Sequence, residues 1–204
     1  MSLEINRHID EKTLWLQFRE GSRQSFDQIL QSYYEVLLKY GIRMLGTQFT
    51  ELVEDSLQDF FVDLWSSKER LGDAVSLKAY LISSFKRRLL REKGRKSKTV
   101  TDSDLVENYE FEVQFNVEKE IIEQELSEEN SKKIKLLLEQ LSKRQQEAIF
   151  LRFFEKMSYD DIALVMNINK HSAVNLIYGG VKLLRAGWFE SIVLLTCLIM
   201  DYLK

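Results

Sequence analysis

Apolar residues recur at helical spacing through most of this chain, and the polar residues between them mark where helices start and stop. From Ser25 to Gly46, the positions Phe26, Ile29, Leu30, Tyr33, Leu37, Tyr40 and Met44 form one broad apolar face and predict a long helix. From Thr50 to Leu71, Leu52, Val53, Leu57, Phe60, Phe61, Leu64 and Trp65 fall on one side, with Glu51, Glu54, Asp55, Gln58, Asp59 and Asp63 largely on the other. Leu77 to Lys98 is a third helix, anchored by Leu77, Tyr80, Leu81, Phe85 and Leu89. Leu14, Trp15, Leu16 and Phe18 form a short lead that docks on these helices, and Ser66–Ser76 reads as a loop in which Gly72 supplies a turn.

The strongest local pattern runs from Ser142 to Arg185. Ser142 and Gln145 have the spacing of a capping box, followed by Ala148, Ile149, Leu151, Phe153 and Phe154. Ser158 with Asp161 predicts a second helix start, ahead of Ile162, Ala163, Val165 and Met166. Asn167 tolerates the left-handed conformation of a tight helix stop, and Asn169 then caps a helix with Ala173, Ile177, Val181 and Leu184 as its inner stripe. Two short helices across a turn of three or four residues form a helix-turn-helix, the unit that lays its second helix in the DNA major groove. A plain helical hairpin satisfies the same pattern.

Composition bounds the rest. The chain has 204 residues, 45% apolar and 30% charged, which is globular, and it has no proline and eight glycines. That balance favours long helices over a sandwich or barrel. The expected fold is all-α, with two helical domains joined by an acidic linker: residues 1–98, a linker over 99–129, and 130–204. No glycine-rich phosphate loop occurs. His8 and His171 stand apart from any cysteine or carboxylate cluster, so no catalytic centre, metal site or cofactor is expected. Cys197 is the single cysteine and excludes an internal disulfide. The first residues lack a signal-peptide core, and the longest apolar run, Ile192–Met200, is about half a membrane span, so a cytoplasmic protein without membrane insertion is expected. The closing apolar run is expected either to pack on its own domain or to serve as a groove-binding segment.

The net charge of −3 conceals a sharp alternation. Lys86, Arg87, Arg88, Arg91, Lys93, Arg95, Lys96 and Lys98 fall within thirteen residues against the single acid Glu92. That exceeds what a helix C-terminus requires and points to nucleic-acid phosphates. From Asp102 to Glu129 there are eleven acids and one base, Lys119, the composition of a tether repelled by DNA. A helix over about 117–140 then opens the second domain.

In this order, the parts resemble the sigma subunit of bacterial RNA polymerase, in the two-domain form of the extracytoplasmic-function (ECF) group. The resemblance covers about residues 22–98 and 130–186. EDSLQDFFVDLW (54–65) is similar to the family's polymerase-clamp-binding motif, and LKAYLISSFKRRLLREKGRK (77–96) to the segment that recognises and melts the minus-ten element. Residues 141–185 are similar to the domain that reads the minus-thirty-five element.

The resemblance implies that Asp55, Gln58, Asp59, Phe61, Leu64 and Trp65 make up the polymerase-binding helix, with Phe61 and Trp65 packed inward. It implies DNA contacts by Lys86, Arg87, Arg88, Arg91, Lys93, Arg95 and Lys96, and base capture by the Ser66–Ser76 loop. In the recognition helix, His171, Ser172, Val174, Asn175, Leu176, Tyr178 and Lys182 would face the groove, Asn175 reading adenine and Val174 or Leu176 touching thymine methyls. Arg87 stands where the family usually has asparagine, and Gly179 and Gly180 weaken the recognition helix by roughly 1 kcal/mol each. The implied partners are core RNA polymerase, promoter DNA and an anti-sigma factor. The implied function is promoter selection without enzymatic activity. The alternative is a sigma-like interaction module that binds polymerase or regulators without opening promoters.

Overall fold

The computed structural model describes residues 10–97, 111 and 136–187. The linker apart from Phe111, the expected 117–140 helix up to residue 135, the whole closing apolar run with Cys197, Lys98 and the Lys96 side chain lie outside the described residues. Two compact units emerge, one around the N-terminal helices and one around Phe111, Lys143–Ala163 and Ile168–Gly187.

In the first unit, α1 (Glu11–Arg19), α2 (Arg23–Leu45), α3 (Thr50–Ser67) and α4 (Leu77–Ser97) pack around one core. α2 is capped by Ser22, whose side chain accepts from the Ser25 amide, and it stops at Gly46, where φ is +93°. A side chain there would be strained, and glycine admits the turn freely. Ile29, Leu37, Tyr40 and Met44 of α2 are fully buried, as the sequence pattern predicts, together with Val53 and Leu57 of α3 and Leu81 and Phe85 of α4. α1 docks through Leu14, Trp15 and Phe18, while Leu16 stays half-exposed.

A continuous network of ring contacts links these helices. Trp15 meets Phe18 and Tyr80, Phe18 meets Phe26, and Phe26 meets Trp65 at 5.1 Å and Phe61 at 6.3 Å. Phe60 continues it from Phe61 to Phe85. The expected Ser66–Ser76 loop is shorter than the sequence suggests. α3 runs on to Ser67, with the Ser66 and Ser67 hydroxyls donating to the Val62 and Asp63 carbonyls, and a 3-10 turn occupies Lys68–Arg70. Gly72 does not adopt a left-handed conformation; its carbonyl accepts from the Trp15 indole at 3.0 Å.

Tyr33 is buried and donates to Glu11 at 2.7 Å. Burial first, then that hydrogen bond and the Glu11 charge, push its phenol well above the ordinary tyrosine range. The folded chain therefore retains a proton that the unfolded chain loses above about pH 10. Stability should fall as pH rises through that point. The expected result is a midpoint for thermal unfolding that declines more steeply at alkaline pH in the parent than in Tyr33→Phe.

In the second unit, α5 (Lys143–Ile149) begins at the capping box the sequence predicts. Ser142 Oγ accepts from the Gln145 amide at 3.2 Å, and Gln145 Oε1 accepts from the Ser142 amide at 3.0 Å. Gln146 donates to the carbonyls of Leu138 and Leu141, holding the preceding turn. Beyond Ile149 the α-helical pitch is lost, and Phe150–Phe154 widens into a π turn. Lys156 (φ +56°) and a bond from Arg152 to the Met157 carbonyl close it.

Candidate nucleic-acid interface

The helix-turn-helix is built from α6 (Tyr159–Met166) and α7 (Lys170–Gly187). Each predicted local signal is present. Ser158 Oγ accepts from the Asp161 amide, Asn167 takes φ +52°, and Asn169 Oδ1 accepts from the Ser172 amide at 2.7 Å. The turn between the helices is therefore three residues long, with both ends tied by side chains.

α7 continues through both glycines without a break. Gly180 lies against α5, where an added Cβ would sit 2.7 Å from Ile149 Cδ1; one at Gly179 would sit 3.2 Å from Gln145 Nε2. The pair that lowers helix propensity thus allows α7 to approach α5 closely. Ala173 and Ile177 are buried, and Leu184 packs against the cluster of Leu138, Leu141 and Ile149.

His171, Asn175, Tyr178 and Lys182 recur at three- and four-residue intervals and are all exposed, Tyr178 at 71%. They form one stripe along the outer face of α7. Ser172, Val174 and Leu176 are half-buried; Ser172 and Val174 flank the stripe, while Leu176 lies farthest round the helix. His171 Nδ1 and Asn175 Nδ2 stand 3.1 Å apart. Lys170 is paired with Asp160 at 2.8 Å, which anchors the start of α7 to α6.

α4 divides its cations more finely than the charge run suggests. Arg87, Arg91 and Arg95 are exposed at successive four-residue steps and share one face. Arg87 bonds Ser84, Arg95 pairs with Glu92, and Arg91 has no acidic partner among the described residues. Lys86 is only 7% exposed, so its assignment to the DNA face is corrected. Arg88 is likewise turned away. Its guanidinium bridges Asp59 at 3.1 Å and Asp63 at 2.5 Å on α3, with 18% of the side chain exposed. Lys93 is half-buried, with its ammonium 5.8 Å from the centre of the Phe49 ring. The helix packs against α3 on one side, and the acids there draw the nearest cations inward.

On α3, Asp55, Gln58 and Asp59 are exposed, as a docking face requires. Phe61 and Leu64 are each 4% exposed and Trp65 is half-buried among rings, so these three serve the core and not a contact surface. Sequence reasoning missed Val62, an apolar side chain 63% exposed among those polar residues. Its phase on the helix, one turn from Gln58 and Asp59, was the available signal.

Residues 131–184 match the family model described as sigma-70, region 4, a segment that takes in α5, α6 and nearly all of α7. No curated protein matches the chain. Among solved structures, the chain is similar to CnrH in complex with the cytosolic domain of CnrY, at 18% identity and TM-score 0.52, over 86% of this chain and 94% of that one. It is also similar to the sigma factor RpoE in complex with the anti-sigma factor NepR from Bartonella quintana. That match has 18% identity and TM-score 0.53, over 82% of this chain and 99% of that one. The chain thus shares the fold of these two solved structures, and its helix-turn-helix lies within the segment that matches the sigma-70 region 4 model.

Proposed function

We propose that this chain is a cytoplasmic sigma factor of the ECF group, which binds core RNA polymerase and directs it to promoters, with no enzymatic activity of its own. The observation that carries the proposal is the open stripe of His171, Asn175, Tyr178 and Lys182 on the second helix of a helix-turn-helix that matches sigma-70 region 4. Phosphate contacts come from Arg87, Arg91 and Arg95, and polymerase contacts from Asp55, Gln58, Asp59 and Val62. Residues 1–98 hold the polymerase and minus-ten functions, 99–129 the tether, and 130–204 the minus-thirty-five function. An anti-sigma factor is the further partner.

Reconstitution with core polymerase tests this: transcripts from defined starts should need both the chain and the core enzyme. Asp55→Lys should weaken core binding about tenfold or more while the thermal midpoint stays unchanged, because Asp55 is exposed and holds no ion pair among the described residues. Asp59→Lys should lower both, since Asp59 also neutralises Arg88. The second reading, an interaction module that binds polymerase without opening promoters, is favoured by the withdrawal of Lys86 and Arg88 from the α4 surface. Core binding without transcript initiation would select it.

A further inference from the structure

On the sigma-factor reading, we propose that His171 is a positioning residue that sets the base preference of Asn175. Asn175 Nδ2 lies 3.1 Å from His171 Nδ1. With the imidazole proton on Nε2, His171 Nδ1 accepts from the Asn175 amide nitrogen. Both side chains are exposed on the outer stripe of α7, one helical turn apart.

The Asn175 amide has two N–H donors and one carbonyl oxygen. One N–H is committed to His171. The second N–H and Oδ1 remain for the groove, a donor beside an acceptor. Adenine presents the complement, an acceptor at N7 beside a donor at N6. With the opposite amide orientation, Oδ1 would turn to the imidazole and two N–H groups would face outward, matching the two acceptors N7 and O6 of guanine. With its proton on Nε2, His171 cannot donate from Nδ1, so it disfavours that orientation. The histidine thus orients the amide before DNA arrives, and adenine is preferred over guanine at one base pair.

The test uses the full chain bound to core polymerase and a synthetic duplex library with a randomised block upstream of the start site. The wild type should enrich adenine at one position that Asn175→Ala loses. His171→Ala and His171→Phe should keep the rest of the enriched motif, but their adenine-over-guanine preference at that position should fall roughly three- to tenfold, the factor that one net hydrogen bond supplies. His171→Glu should restore it, because a carboxylate one turn earlier can only accept from Asn175. Phenylalanine keeps the ring without the acceptor, so its loss with the carboxylate's rescue separates hydrogen bonding from shape. Unchanged adenine preference in His171→Ala and His171→Phe overturns the inference and leaves the sigma-factor reading standing. No enriched motif with any variant, the wild type included, overturns both.

Discussion

Replacing Arg87, Arg91 and Arg95 together with glutamine is expected to lower the salt slope of promoter binding by about 2 to 3. Each phosphate left unneutralised should take roughly 0.7–0.9 off that slope, because its counterions are no longer released on binding. These three guanidinium groups share one exposed face of α4, so they can meet one stretch of backbone together. Lys86→Gln and Arg88→Gln are the informative contrasts. Neither should change the slope, because Lys86 is buried and Arg88 is already bound to Asp59 and Asp63. Arg88→Gln should instead lower the thermal midpoint, since two carboxylates on α3 would lose their counter-charge. Binding of the holoenzyme to promoter duplex across a salt series reads the first effect. An unchanged slope in the triple variant would reject this face as the one that meets phosphate.

Gly41→Ala should destabilise the first unit by about 1–3 kcal/mol, although alanine is the better helix former by up to about 1 kcal/mol. The added Cβ would lie 2.6 Å from Val53 Cγ1, 3.0 Å from Phe85 Cε1 and 3.1 Å from Leu89 Cδ1. These neighbours come from both α3 and α4, and the branched Val53 side chain has little rotamer freedom with which to yield. Relief at one neighbour leaves the other two. Gly180→Ala should cost less, because only the flexible end of Ile149 is closer than 3.4 Å to the added carbon. Denaturant unfolding of both variants decides the order, and a Gly41→Ala protein as stable as the parent would show that the helices part without strain.

Local signals were legible because each depends on residues a few positions apart. The capping box at Ser142, the Ser158 cap, the left-handed Asn167 and the Asn169 cap all follow from spacing alone. The stripe on α7 was legible for the same reason, since its buried and exposed faces follow one period. What sequence reasoning missed lay between elements. Nothing near Arg88 in the chain indicates that it turns toward Asp59 and Asp63, which are 29 and 25 residues away. Helix propensity assigns Gly180 a cost, while its use is visible only once Ile149 stands against it. Nor does the spacing of apolar residues signal the π turn at Phe150–Phe154.

Trp15 and Trp65, two of the chain's three tryptophans, stand within the ring network of the N-terminal unit. Trp15 is 3% exposed, so its indole emits from an apolar setting and shifts to the red when water reaches it. Asp55 shares no ring contact with either chromophore. Intrinsic fluorescence therefore separates a chain that has lost its grip on a partner from one that has lost its shape.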